Sequence, residues 1–294
     1  MAKTCDLHLH PIVSDGTNTP LEMTTAAQAA GLNRISFTDH DALGAYRHFG
    51  DMFVFAKGFG IELIPGIELD SDYMNREVHL LGYGFDLNDG ALNHHLDSTQ
   101  KLRKERVTLQ IAIINRFFGR QVIDLNQVLF PSPSSLRTPN SYLRTELPVR
   151  DTLMKPHLVH AMLNQGLFST YRAAAYWVSQ NAQVPVFVPK LPLADAIRMV
   201  RNAGGDAFLA HPGYLVRENG ISLASLLEEI VPLGLTGLEV DYPYLGTSPA
   251  FSDVESEHKL IGELRALAGQ FNLNETRGSD AHDVQALKKF AARG

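Results

Sequence analysis

Asp6-Leu7-His8-Leu9-His10, close to the start of the chain, alternates polar and apolar side chains with the period of two that a β-strand imposes. On a strand over 3–9, Asp6, His8 and His10 share one face, and Leu7 and Leu9 take the other. Two imidazoles spaced two residues apart on a strand can reach one metal ion. An isolated pair of this kind is as readily a polar face meeting solvent. This pair is not isolated.

Working outward, other apolar runs end in the same way. A strand over 34–38 leads into Asp39-His40-Asp41, and one over 62–68 ends at Glu68. His79 lies in a strand over 78–83, a strand over 207–210 leads into His211-Pro212, and one near 275–278 leads into Asp280-Ala281-His282. Helices at about 19–30, 42–57, 192–203, 222–231 and 253–270 alternate with these strands, which predicts parallel strands joined by crossover helices. In such folds the C-terminal strand ends meet on one rim, where catalytic groups gather. His8, His10, Asp15, His40, Glu68, His79, His211, Asp280 and His282 would then converge. Imidazoles and carboxylates without a thiolate suit Zn, Mn or Fe. Nine ligands exceed what one catalytic ion takes, so two or three divalent ions are expected. About seven strands are countable, and a small barrel is preferred over an open sheet.

The rhythm breaks between residues 92 and 188. A long helix over 92–119, a Ser- and Pro-rich loop over 131–139 and helices near 156–166 and 169–180 predict a helical insertion. The barrel is then discontinuous, formed by 1–91 and 189–294.

Bulk properties exclude several classes. The net charge of −6 and the absence of a Lys/Arg run argue against a broad nucleic-acid face. The single cysteine, Cys5, excludes an intrachain disulfide and fits a reducing compartment. No apolar run approaches the roughly 20 residues that span a bilayer, and Met1 to His10 lacks a signal-peptide core, so a cytoplasmic location is expected. GxSxG, P-loop and GxGxxG motifs are absent. No obligate protein partner is evident.

DLHLH (6–10), SDG (14–16), FTDHD (37–41), GIE (66–68), EVHLLGYG (77–84), AHPG (210–213) and GSDAH (278–282) together resemble the PHP (polymerase and histidinol phosphatase) family of metal-dependent phosphoesterases. The resemblance covers about two thirds of the chain and implies an α/β fold, a distorted seven-stranded (β/α) barrel with a helical insertion. It implies one ion on His8, His10, Glu68 and Asp280. A second would sit on Glu68, His79 and His211, and a third on Asp15, His40 and His282. Asp6, Asp39 and Asp41 would orient imidazoles. In the insertion, Lys155-Pro156-His157 stands where the family usually has Arg-Pro-His or Arg-Thr-His, so a point charge replaces a bidentate one. Lys155, His157 and Arg144 become candidate phosphate contacts, with Arg150 a weaker one, and Tyr142, Tyr171 or Trp177 could cover a base. Asp41, His157 and His211 are the candidate proton donors.

The implied activity is hydrolysis of a phosphomonoester by water that the ions activate. The insertion resembles the branch acting on AMP or 3′,5′-nucleotide bisphosphates and on the 5′ ends of short RNA. Two alternatives stay open: a histidinol-phosphate phosphatase, and a metal- or nucleotide-binding module without activity.

Overall fold

The computed structural model describes residues 4–130 and 150–293. Among the described residues eight strands run in chain order: β1 Cys5–Leu9, β2 Arg34–Phe37, β3 Glu62–Tyr73, β4 Arg76–Tyr83, β5 Leu191–Pro192, β6 Asp206–Leu209, β7 Leu235–Asp241 and β8 Asn274–Arg277. Seven form one curled path, β1-β2-β3-β4-β6-β7-β8, and β5 adds to β3 off that path. The two ends meet at a bridge between Leu9 and Ala281, with the His10 N–H donating to the Ala281 carbonyl at 2.9 Å. The expected seven-stranded barrel of α/β class is therefore present.

Its strands are not all parallel. β3 runs five residues past Glu68 and turns back at Met74-Asn75, so β4 is antiparallel to both β3 and β6. Met74 and Asn75 take φ of 53° and 60°, the left-handed pair that a tight hairpin turn requires. Without a glycine at either position the turn carries no strong sequence signal. The reversal matters for the site. In a parallel strand His79 would lie low in the barrel, whereas in β4 it pairs with Asp70 at the rim.

β1 also departs from simple alternation. Its register with β2 gains one residue between Asp6 and Leu9, a β-bulge. Leu7 thereby packs inside the barrel with Leu81, Tyr83, Phe208 and Ala210, while Leu9 packs outside against the helices. The bulge lets His8 and His10 both face the rim and takes Asp6 off their face.

The helix expected over 42–57 is two short ones, Gly44–Arg47 and Met52–Gly58. They separate at Gly50, φ 80°, and Asp51 caps the second by accepting from the Phe53 and Val54 N–H groups. The helix Gly90–Phe117 joins two cores: Leu92 and Leu96 belong to the barrel's outer core, and Val107, Ile111 and Ile114 to a second core shared with Leu158, Met162 and Val178.

Candidate metal centre

Glu68 is the hub of the rim. Its Oε2 lies 3.2 Å from His8 Nε2, 3.2 Å from His10 Nε2 and 3.4 Å from His40 Nε2. Its Oε1 lies 2.9 Å from His79 Nδ1 and 3.1 Å from His211 Nε2. Asp280 Oδ1 stands 3.0 Å from His10 Nε2 and 3.5 Å from His8 Nε2. Asp15 Oδ1 is 3.2 Å from His282 Nε2 and 3.8 Å from His10 Nδ1. All nine expected ligands thus come together.

Within this cluster the ligand atoms of His8, His10, Glu68 and Asp280 lie within 4.8 Å of one another, as do those of His10, Asp15, His40 and His282, and those of His40, Glu68 and His79. The first group coincides with the first implied set. The second adds His10 to the third implied set, and the last has His40 where His211 was expected.

Do these residues fit metal ions? His8 Nε2, both ring nitrogens of His10 and Glu68 Oε2 are buried, and none makes a well-directed hydrogen bond among the described residues, although His8 Nε2 and His10 Nε2 each lie 3.2 Å from Glu68 Oε2. Buried polar atoms left unsatisfied are costly, and lone pairs converging on a common point are what a cation relieves. The donor set also fits a borderline divalent ion. Three of the six non-glycine residues with positive φ among those described, Asp41, His211 and Asp280, sit on this rim. Backbone strain of that kind concentrates at functional sites.

The electrostatics agree. Burial works against the charged form of Glu68, yet His40, His8 and His79 hold its carboxyl well below the usual range. Burial likewise opposes charge on His10 and His40. It is outweighed for His10 by Asp280 and Glu68 and for His40 by Glu68 and Asp70, and both rings rise to about 9. A raised histidine stabilises the fold fully below its unfolded value of about 6.5 and loses that contribution as pH climbs through about 9. Metal-stripped protein is therefore expected to melt at progressively lower temperature from pH 6.5 to 9. Loading with Zn²⁺ or Mn²⁺ at pH 7.5 is expected to expel protons, because ligating imidazoles must be neutral. Calorimetry in two buffers of different ionisation enthalpy counts those protons; a flat melting profile with no proton release would contradict the assignment.

The imidazoles are oriented by groups that sequence reasoning missed. Glu239, fully buried on β7, accepts from His8 Nδ1 at 2.9 Å and from the His211 N–H at 2.8 Å. Asp70 accepts from His40 Nδ1 at 2.9 Å, and Tyr242 donates to Asp280 Oδ2 at 2.9 Å. A signal existed: Glu239 lies between Leu238 and Val240 in an apolar strand, and Asp70 lies two residues past Glu68 on the same face. Glu239→Gln is expected to weaken metal binding by about 10–100-fold, the usual effect of losing such a partner. Competition with a chromophoric chelator measures this, and wild-type affinity would refute the role.

The three aspartates expected to orient imidazoles do other work. Asp6 accepts from the Ser279 N–H at 2.9 Å and so holds the loop after β8. Asp39 accepts from the Ser14 N–H and hydroxyl at 2.9 and 2.5 Å and fixes the loop carrying Asp15. Asp41 pairs with Arg103. His157 also differs from expectation. Its Nδ1 accepts from the Met154 N–H and its Nε2 donates to the Ser14 carbonyl, both at 2.9 Å. Burial and the nearby Arg150 hold the ring well below the usual range, so it is a neutral pin between the helix Lys155–Asn164 and the rim rather than a cation.

Lys155 reaches the Ser179 hydroxyl at 3.1 Å and lines a cavity of about 340 Å³ beside the rim, together with Asp41, Asp70, Arg103, Arg106 and Lys190. Arg150 is half-buried, and its Nε has no partner among the described residues. Arg144 and Tyr142 lie outside the described residues. Trp177 packs among Phe117, Phe118 and Phe168, whereas Tyr171 is exposed beside His160.

Comparison with known proteins is consistent with this geometry. The PHP domain family matches residues 6–129. A 5′-3′ exoribonuclease of Haemophilus influenzae is 25% identical over 96% of this chain and 91% of its own length. A phosphoribosyl 1,2-cyclic phosphate 1,2-diphosphodiesterase of Eggerthella lenta is 29% identical over 94% of this chain and 93% of its own. A 3′,5′-nucleoside bisphosphate phosphatase of Chromobacterium violaceum is 25% identical over 71% of this chain and 66% of its own. The fold is shared with a protein of Bifidobacterium adolescentis described as a metal-dependent phosphoesterase, at a TM-score of 0.73 and 21% identity over 100% of this chain and 97% of that one. The DLHLH strand and the glutamate hub lie within the part of the chain, residues 6–129, that matches the PHP domain family.

Proposed function

We propose that the protein is a metal-dependent hydrolase that releases phosphate from a phosphomonoester of a nucleotide, AMP or a 3′,5′-nucleotide bisphosphate, with the 5′ ends of short RNA as a related substrate. The observation that carries this reading is the convergence of six imidazoles with Asp15 and Asp280 around Glu68, with buried nitrogens that have no hydrogen-bond partner among the described residues. In this reading His8, His10, Glu68 and Asp280 hold one ion. Glu68, His79 and His211 hold a second, with His40 close by, and Asp15, His40, His282 and His10 surround a third. Mn, Zn and Fe all suit these donors. Ions held there supply a water of lowered pKa and neutralise charge on the phosphoryl oxygens.

The chain's own residues do the rest. The cavity beside the rim presents Arg106, Lys155 and Lys190 to an anionic ester, while Arg103 at its wall is spent on Asp41 and Asp70. Lys190 is shared with Glu77 at 2.6 Å, so Lys155 and Arg106 are the freer contacts. In this reading the described parts of the helical segment, through Arg106, Lys155 and Val188, form a lid along this cavity, and its cations favour an ester with more than one negative group over a small neutral alcohol. Among the candidate proton donors, Asp41 lines the cavity, and burial and the Asp70 charge raise its carboxyl while Arg103 opposes the rise. His211 faces a smaller cavity of about 110 Å³. With one cysteine in the chain, the reducing cytoplasm is the proposed setting.

The test is a phosphate-release assay with adenosine 3′,5′-bisphosphate, AMP, a 5′-phosphorylated short RNA and histidinol phosphate, each with Mn²⁺, Zn²⁺ or Fe²⁺. Metal-dependent turnover of the nucleotides, abolished by chelator, is expected. Preference for histidinol phosphate, or full activity in chelator, would overturn the reading.

A further inference from the structure

Arg103 is a buried arginine on the helix Gly90–Phe117, 4% exposed, whose guanidinium reaches the barrel rim and the segment before Lys155. Its Nη2 donates to Asp41 Oδ2 and, at 2.8 Å, to Asp70 Oδ2. Its Nη1 donates to the Thr152 hydroxyl at 2.7 Å, in the segment that leads into the helix Lys155–Asn164. One helical turn earlier, Gln100 Nε2 donates to the Asp41 carbonyl at 2.8 Å. Asp41 is held at φ 44°, and its Oδ1 accepts from the Asp70 N–H at 3.3 Å.

One guanidinium therefore spans two buried carboxylates. Asp41 and Asp70 are 1% and 7% exposed. Two such charges repel unless a cation is placed between them, and taking one partner from a buried ion group leaves an uncompensated charge. Asp70 spends its other oxygen on His40 Nδ1 at 2.9 Å, which turns His40 Nε2 toward Glu68 Oε2 at 3.4 Å. The planar fork of arginine can serve Asp41, Asp70 and Thr152 at once, which a lysine ammonium cannot do with the same geometry.

We infer that Arg103 is a positioning residue: through Asp70 it holds His40 in its ligating orientation, and through Thr152 it ties that orientation to the docking of the helical segment over the rim. Without Arg103, Asp70 loses the hydrogen bond that keeps it in place and turns away from His40. His40 then loses its acceptor, and one ion of the cluster is held more weakly while the others are not. The inference takes from the proposed function only that His40 ligates an ion.

The experiment compares wild type, Arg103→Met, Arg103→Lys, Thr152→Val and His40→Ala. Each protein is stripped, reloaded with Zn²⁺ and titrated against a chelator, with no substrate present; folding is checked by circular dichroism. His40→Ala is expected to lose one ion per chain. Arg103→Met is expected to bind that same ion about tenfold or more weaker, with the remaining ions unchanged. Arg103→Lys is expected to fall between, and it answers the same question if the methionine variant does not fold. Thr152→Val is expected to keep wild-type metal affinity while KM for the nucleotide rises about fivefold, the effect of one neutral hydrogen bond. Wild-type affinity for every ion in Arg103→Met, or in Arg103→Lys should the methionine variant not fold, would overturn the inference, as would a full complement of ions in His40→Ala. An unchanged KM in Thr152→Val would overturn the link to the helical segment. Absence of phosphate release by wild type on every ester would sink the proposed function and leave the metal titrations to decide this inference.

Discussion

Glu68→Gln is expected to abolish metal-dependent phosphate release, by about 10³-fold or more, and to leave the cluster short of its full metal complement. The hub carboxylate touches five imidazoles within 3.4 Å, through both of its oxygens. Glutamine keeps the shape and one acceptor oxygen but removes the charge and turns the other oxygen into a donor. That amide then faces imidazole nitrogens that must themselves offer lone pairs to a cation, so donor meets cation at the centre of the cluster. Lewis-acid assistance at a phosphoryl group is worth several kcal/mol. At 1.36 kcal/mol per tenfold, losing it accounts for a factor near 10³. Metal content per chain and kcat measured on the same sample check this. The apo protein should still fold, because His8 keeps Glu239 and His40 keeps Asp70. A Glu68→Gln enzyme with wild-type metal content and turnover would show that the cluster is not where the chemistry occurs.

That the hub was legible follows from how such sites are built. His8, His10, His211, Asp280 and His282 each stand at or just past a strand end, and Glu68 ends an apolar run although its strand continues to Tyr73; an apolar run that stops at a polar residue is visible without any fold. His79 was found through its motif, although the direction of its strand was not; the turn at Met74-Asn75 lacks the glycine that marks such hairpins. The groups that aim the ligands were harder to see. Glu239, Asp70 and Arg103 lie within elements, and what each one does depends on a neighbour far away in sequence: Glu239 on His8, 231 residues off, and Arg103 on Asp70, 33 residues off. Strand periodicity places a side chain on a face, but it does not say which partner crosses to meet it. Asp6, Asp39 and Asp41 show the converse. Standing beside ligands in sequence, they invited a role on the imidazoles, yet a bulge and two tight loops turn them toward backbone N–H groups and a guanidinium. His157 was read as a cation from its motif, and its burial against Ser14 makes it neutral.

Gly278→Ala is expected to damage the centre from behind without touching a ligand. Gly278 follows β8 where that strand passes under β1, and its N–H donates to the Asp241 carbonyl at 3.1 Å. A methyl group there would lie 2.3 Å from His8 Cβ and 2.4 Å from Glu239 Oε1. Neither neighbour can yield freely. The His8 Cβ is fixed to the β1 backbone, and Glu239 Oε1 is the atom that accepts from His8 Nδ1. Relief of the overlap therefore moves β1 away from β8 or breaks that hydrogen bond, and both displace His8 Nε2 from Glu68 and Asp280. Overpacking of this kind costs about 1–3 kcal/mol, and loss of the outer partner weakens metal binding by about 10–100-fold. The two effects separate experimentally: the first appears as a lower melting temperature in stripped protein, the second as weaker Zn²⁺ binding in a chelator titration. Gly269→Ala is the control, since a methyl group there meets nothing within 4 Å and the residue lies in the helix Val254–Gln270, where alanine is the better helix former. It should leave metal affinity unchanged and raise the melting temperature slightly. If Gly278→Ala melted and bound Zn²⁺ as Gly269→Ala does, the close passage of β8 under His8 would not be what holds this ligand in place.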